Sequence, residues 1–352
     1  MHIFSRNVND SFRRLLEVME NPTHCGYSDP PVIRFRHSRA GHVKMIEEPV
    51  TVTYTRPRER VLFNRARNAN PFFHLFESLW MLAGRNDVAP LAEYNSQIAK
   101  VASDNGVKFN GAYGERWWRY YTIEEGSQQL RVIIDQLRRK PDSRRCVLQM
   151  WNVEDDLLRI DQTKDVCCNV CAFFSIRCSY DRHLRKVRYL DMTVVNRSND
   201  LVWGMLGANV VHFSILQEYL AACIGVEVGV YNQFTNNLHV YLDRYEPDKW
   251  LADRTEFDYS SCSLFPLVKN PGTFDQEVVE FIDNTDWTRR WSEPFLDRVA
   301  SPMCWAYKLH KRREYDLSLA TTDLILADDW RFACRNWIER RKQSWEAKHQ
   351  DE

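Results

Sequence analysis

The stretch LGANVVHFSILQEYLAACIG, residues 206–225, constrains the architecture most. It reads as a helix of about five turns, stopped by Gly225 and apolar apart from a few positions that include Asn209 and His212. A helix this apolar belongs inside a layered fold. Its neighbours supply the layers. From Pro71, FFHLFESLWMLAG repeats apolar residues at helical spacing until Gly84, and residues 125–139 form a second helix broken by Lys140-Pro141-Asp142. RRCVLQMWN, CAFFSIRC and YLDMTVVN read as buried strands, VTVTYT as an alternating one, and VEVGVYNQFTNNLHVY as a strand after the long helix. Near the start, Phe12, Leu15, Leu16 and Met19 mark a short amphipathic helix, followed by turn-rich NPTHCGYSDPP. ILADDWRFACRNWIERRKQSWEAKH is a last amphipathic helix. With no repeat and no linker, residues 1–352 read as one α+β domain, its regular architecture concentrated in 70–245.

Composition narrows the function classes. Lys plus Arg (48) balances Asp plus Glu (48), which disfavours a wholesale nucleic-acid or membrane-surface binder. No apolar run reaches the roughly 20 residues of a membrane helix. MHIFSRNVNDSFRRLLEVME has no secretory-signal pattern, and ten cysteines, two of them adjacent, are too sparse for a disulfide scaffold. The expectation is a cytoplasmic, enzyme-like globule.

Several residues stand out chemically. In CCNVCAFF each cysteine has three readings: a small buried hydrophobe, a ligand of a zinc site, or a nucleophilic thiolate. Cys168 and Cys171 have C-x-x-C spacing, but no second pair follows, so no metal is expected. A nucleophile needs a cation nearby, and the arginines of NRSND and DSRR are candidates. Arg197 beside Ser198 at a strand–helix junction is either a phosphate holder or a solvated turn. Arg144 and Arg145 open an otherwise apolar strand, where alternation would point them to opposite faces and favour an anion or an interface. Glu77 shares a helix face with Phe73 and Trp80, so it is either a catalytic acid with a perturbed environment or a hydrogen-bonded core residue. Asn209 and His212 pose the same choice, and for a lone histidine the satisfied core residue is the commoner case.

Taken in order, ESLWMLAGRND, FNGAYGERW, DSRRCVLQMWN, CCNVCAFF, NRSNDLVWG, GANVVHFS and NNLHVY resemble the thymidylate synthase family, including its pyrimidine-nucleotide hydroxymethylases, over about residues 38–242. The resemblance implies a mixed β-sheet covered by helices, with sheet faces meeting in a homodimer, and residues 243–352 as a C-terminal extension packed on the core. Cys168 would add to C6 of the pyrimidine, with Cys167 the alternative if the register shifts by one. Glu77 and Tyr113 would join the catalytic set, with Glu77 organising water and proton transfer. Asn209 would read the base edge. Arg197 and Ser198 would hold the phosphate, with Arg39 of SRAG from a mobile loop. Arg144 and Arg145 would reach that phosphate from the other subunit. His239 and Tyr241 would bind the ribose hydroxyl. Asp200, Trp80 and Gly204 would face the cofactor, 5,10-methylenetetrahydrofolate.

Within the family, the amide of Asn209 suits N3–H and O4 of uracil, which implies dUMP over dCMP. The synthases proper have Pro-Cys-His where this chain has Cys167-Cys168-Asn169, and a Cys-Asn start marks hydroxymethylase-like members. The synthases also close over folate with a short apolar tail, whereas this chain ends EAKHQDE. Both features favour 5-hydroxymethyl-dUMP as product, formed when water attacks an exocyclic methylene. Reductive methylation, a cytosine substrate, and a nucleotide-binding module without activity are the alternatives. Such a product suits phage DNA modification, acting in a host cytoplasm, or a nucleoside natural product.

Overall fold

The computed structural model describes residues 1–349, apart from 25, 27, 28, 103–105, 122–126, 181 and 182. Parts of NPTHCGYSDPP, the start of the expected 125–139 helix and the last three residues of EAKHQDE therefore lie outside the described residues.

A six-stranded sheet forms the centre. Its order is β1 (His2–Ser5), β4 (Val50–Tyr54), β9 (Glu227–Thr235), β7 (Lys186–Asn196), β6 (Asn169–Tyr180) and β5 (Val147–Gln149). The β1–β4 and β7–β9 pairs are parallel and the others antiparallel, so the sheet is mixed and the class is α+β. A smaller sheet holds β2 (Ile33–Ser38), β3 (Gly41–Ile46), β10 (Leu238–Tyr241) and β8 (Asn199–Asp200).

Alternation explains the large sheet. On β7, Leu190, Met192, Val194 and Asn196 are buried while the residues between them are only half-buried. The inner face is covered by α6 (Val210–Ile224), buried along nearly its whole length. Gln217 ties the helix to the sheet by donating to the carbonyls of Leu190 (2.8 Å) and Val230 (3.0 Å). Gly225, with φ +81°, ends α6 in the left-handed region.

Three sequence boundaries shift. The helical stretch begins earlier than expected, because Asp200 accepts from the amides of Val202 and Trp203, both at 2.7 Å. Its first nine residues, Leu201–Asn209, are wound as π-helix. VEVGVYNQFTNNLHVY is two strands in two sheets. The chain leaves the large sheet at Asn236, whose amide donates to the Asn196 carbonyl (3.0 Å), and the Asn237 carbonyl accepts from Asn199 (2.9 Å). Arg144 and Arg145 precede β5 rather than opening it, so strand alternation does not govern where they point.

The remaining helices surround this centre: α1 (Val8–Glu20), α2 (Pro71–Leu82), α3 (Ala89–Tyr94), α4 (Tyr113–Trp118), α5 (Gln129–Arg139), α7 (Pro247–Ala252), α8 (Pro271–Ile282), α9 (Ser301–Lys311), α10 (Tyr315–Thr322) and α11 (Asp328–Glu346). On α1, Phe12, Leu15, Leu16 and Met19 are all buried. Helix α2 is the hub. Its Phe72 packs on Tyr307 of α9 and Trp337 of α11, with ring centroids 5.4 and 5.5 Å away, and its Phe76 stacks on Tyr94 at 4.4 Å. Helix α4 lies so close to α2 that a Cβ on Gly114 would stand 2.5 Å from the Met81 backbone. Only glycine fits there, which fixes the neighbouring Tyr113. No helix among the described residues is long and apolar enough to cross a membrane.

Candidate active site

The two adjacent cysteines just before β6 face different surroundings. Cys167 is buried, its thiol donating to the Gly111 carbonyl (3.5 Å) and its amide to Asp156 (3.3 Å). Beneath it lies a fully buried ion pair: Arg116 bonds both Asp156 oxygens and also donates to the carbonyls of Met150 (2.6 Å) and Asn110 (3.0 Å). Burial pushes the Cys167 thiol far up, against the pull of Arg116. Cys168 is partly exposed. Its amide and that of Asn169 donate to the Tyr113 hydroxyl at 3.1 and 3.3 Å. Burial raises its thiol too, while Arg197 and then Arg39 pull it down and Asp165 pushes it up.

Arg197 is held by the very loop it serves. Its Nε donates to the Cys167 carbonyl (2.7 Å) and its Nη2 to the Val166 carbonyl (3.1 Å), and Nη2 stands 3.8 Å from Cys168 Sγ. Of the two thiols, Cys168 is therefore the one facing a guanidinium with access to the surface. Cys171 and Cys178 lie further along β6, and no cluster of three metal-binding side chains exists among the described residues.

The smaller sheet brings a polar group alongside. Asn237 accepts from Ser198 Oγ (3.4 Å) and contacts His239 Nδ1 (3.1 Å), and the His239 ring meets Tyr241 edge-on. Burial raises the Asp200 carboxyl, opposed by the Trp203 amide and His239, and lowers His239, opposed by Asp200. Tyr241 is raised by burial and senses Asp200, Cys168 and Arg39. Arg39 reaches over from the β2–β3 turn to the Lys164 carbonyl (3.2 Å).

Glu77 lines a cavity of about 150 Å³ walled by Trp80, Phe109, Leu91 and Ile98, with Tyr113 and Asp165 on the same lining. Its Oε2 stands 2.9 Å from His212 Nε2, close in distance but without hydrogen-bond alignment. Trp80 donates to Asp87 (3.2 Å). Asn209 is buried and donates to Asn199 Oδ1 (3.1 Å). A Cβ on Gly204 would stand 2.3 Å from that same Asn199 oxygen, so the glycine makes room for the asparagine pair. The walls suit a flat heteroaromatic ring: apolar and aromatic surface with two carboxyls to meet its polar edge. That chemistry fits the pterin of a folate.

The fold thus gathers Cys168, Arg197, Tyr113, Arg39, Ser198, Asp200, His239 and Tyr241 around one loop, with Glu77 and Trp80 on the cavity that Tyr113 also lines. Arg144 and Arg145 are not brought in. Both are exposed and share a cleft with Gln136, Lys140, Asp142 and Ser143, where neither guanidinium has a hydrogen bond or ion pair among the described residues.

Sequence reasoning missed Asp156, Arg116, Asp165 and Asn237. Asp156 ends an acidic run that reads as a solvated turn, and only a charge inside aromatic-rich YGERWW hinted at Arg116. Asn237 stands inside the NNLHVY motif, but its residue type alone assigns it no role there.

The sequence model of the family described as thymidylate synthase matches residues 66–285. The chain is 44% identical over 329 residues to a deoxyuridylate hydroxymethyltransferase of Pseudomonas phage M6, covering 89% of each protein. It is 41% identical over 214 residues to a deoxyuridylate hydroxymethyltransferase of Bacillus phage SP01, covering 59% of this chain and 52% of that one. With a thymidylate synthase of Symbiobacterium thermophilum the identity is 30% over 217 residues, covering 59% of this chain and 72% of the relative.

Proposed function

The chain belongs to the thymidylate synthase family, and from that premise we propose that it is a folate-dependent transferase converting dUMP to 5-hydroxymethyl-dUMP. The observation that carries the reading is the thiol of Cys168 beside Arg197, on a loop that Tyr113 links to the cavity of Glu77.

The pyrimidine C5 is a weak nucleophile. Addition of the Cys168 thiolate at C6 makes C5 enolate-like and able to take a one-carbon unit. Arg197 favours the thiolate electrostatically, and its Nη1, with no hydrogen bond among the described residues, is available to the nucleotide phosphate. 5,10-Methylenetetrahydrofolate supplies the one-carbon unit. Tyr113 holds the backbone of Cys168 and Asn169, fixing the nucleophile's approach. Asn209, steadied by Asn199, reads the uracil edge with its amide. Ser198, His239 and Tyr241 line the sugar-phosphate, and Asp200 and Trp80 flank the pterin. Glu77 holds the water that attacks the exocyclic methylene left on the base.

The preference for water over hydride rests on the greater likeness to the two hydroxymethyltransferases than to the Symbiobacterium synthase, and on Cys167-Cys168-Asn169. We read residues 1–352 as one domain with 243–352 packed on the core. The outer face of the large sheet meets a second copy, giving a homodimer. Phe173 on that face is 45% exposed, and Arg144 and Arg145, without a hydrogen bond or ion pair among the described residues, precede β5, which supports the reading that they reach the partner's phosphate site. Phage origin of both hydroxymethyltransferases suits an enzyme supplying modified pyrimidine for phage DNA in the host cytoplasm.

The test is mass spectrometry of dUMP, and separately dCMP, after incubation with methylenetetrahydrofolate, with dihydrofolate absorbance followed in parallel. A CH2O unit gained by dUMP without dihydrofolate is the expected result. A CH2 unit with matching dihydrofolate, or mass gained by dCMP alone, would overturn it.

A further inference from the structure

We propose that His212 is a positioning residue for Glu77, fixing the carboxylate so that it takes a proton from the water that ends the reaction. This deepens the hydroxymethylase reading and rests on it.

His212 sits in the first turn of α6, three residues after Asn209, and points at α2. It is 3% exposed and Glu77 8%, with 2.9 Å between Nε2 and Oε2. Neither nitrogen of the imidazole has an aligned hydrogen-bond partner, and neither does Glu77 Oε2. Buried polar atoms are almost always satisfied, so three unmet atoms at one point mark a place where a small rotation or an added molecule completes the network. The cavity lined by Glu77 has about 150 Å³, room for several waters at roughly 30 Å³ each. With Oε2 turned to His212, Oε1 is the oxygen left for that cavity.

The surroundings support an imidazole that serves Glu77 alone. His74, one turn before Glu77 on α2, is pushed down to about 3 by burial, with Arg67 and His212 adding to the effect, so it stays neutral. Arg67 donates Nε and Nη2 to the Val202 carbonyl (3.3 and 3.1 Å) and stacks 3.9 Å over the Trp203 ring, which leaves only its Nη1 without a partner. Asp165 is the other carboxyl on the cavity lining, and its Oδ2 accepts the Gly111 amide (2.8 Å). Glu77 is the carboxyl that an imidazole faces, and His212 the donor that orients it, in the way that an imidazole and a carboxylate fix one another's geometry.

The step closes chemically. The water oxygen bonds to the exocyclic carbon while its proton passes to Glu77 Oε1. The π pair of the exocyclic double bond moves onto the ring as the C4 enolate, which collapses to restore C5=C6 and expels the Cys168 thiolate. The proton on Glu77 then leaves to solvent or the thiolate. A hydride-terminated reaction needs no base at this point, so the role of His212 exists only where water is the nucleophile.

The experiment compares His212→Leu and His212→Gln with the unaltered protein. 5-Fluoro-dUMP with methylenetetrahydrofolate is the control, because its C5 fluorine does not leave as a cation and the covalent adduct stalls before water enters. For His212→Leu, kcat for hydroxymethylation should fall at least ~10-fold, short of the roughly 10²–10⁴-fold worth of a general base itself. KM for dUMP and the rate of adduct formation should stay within about 2-fold, since Cys168 chemistry precedes the water step. His212→Gln, whose amide reaches where Nε2 was, should recover most of the loss. Unchanged kcat in His212→Leu, or a parallel fall in adduct rate that Gln does not relieve, would overturn the proposal while leaving a hydroxymethylated wild-type product intact. A methylated product from the unaltered protein would instead remove the reading beneath it.

Discussion

The two ends of the site are built differently. Around Cys168 the polar groups are largely tied before any ligand arrives: Arg197 to two carbonyls, Tyr113 to two amides, and Asp156 to Arg116 and two amides. Around Glu77, the carboxylate oxygen and both His212 nitrogens lack aligned partners. On the proposed roles, the nucleophile's loop is mostly tied in advance, apart from the buried Asn169 side-chain amide and Arg116 Nε, which lack partners, whereas the water end is completed by what binds. Precision is needed from the start where a thiolate must meet C6. Adaptability is tolerable where the attacking group is water.

The contrast is broken most sharply at the adjacent cysteines. Cys168→Ser should cost at least about 10⁴-fold in turnover while dUMP affinity, read by calorimetry, stays within a few-fold. Cys167→Ser should keep most activity. The reverse pattern would put the nucleophile one residue earlier.

The scaffold itself is tested at Asp156. Both members of its pair with Arg116 are fully buried, so Asp156→Ala leaves an uncompensated charge and should lower stability by about 3–5 kcal/mol, read from the urea midpoint. A loss near zero would mean that the loop under Cys167 is held by something else.

A smaller effect belongs to Arg197. It pulls the Cys168 thiol down against burial, so Arg197→Gln should leave less thiolate at a given pH and slow iodoacetamide labelling of Cys168 by roughly 10-fold, about the worth of one charge-assisted contact. Labelling of the unaltered, ligand-free protein at Cys168 should also keep rising with pH above about 8.5, the ordinary cysteine value, because burial holds the thiol higher. Peptide mass mapping separates it from exposed Cys178.

Much of this was legible in the sequence because it rests on period and order. Alternation marked β7, helical spacing marked α1 and α2, and the sequence of motifs marked the family. What escaped depends on long-range contact. β1 is four residues long and is a strand only through its pairing with β4. The π-helical start of α6 comes from an Asp200 cap that hydrophobic spacing cannot register. The twin arginines lie before β5 because pairing with β6 begins only at Val147. His212 read as a core residue because periodicity places it on a buried face without saying that a carboxylate from α2 waits there.

That water ends the reaction on a uracil nucleotide is tested most directly by running dUMP and methylenetetrahydrofolate with the protein in oxygen-18-labelled water. A product carrying one labelled oxygen in its new hydroxymethyl group, with no dihydrofolate, is expected. An unlabelled methylated product accompanied by stoichiometric dihydrofolate would contradict it.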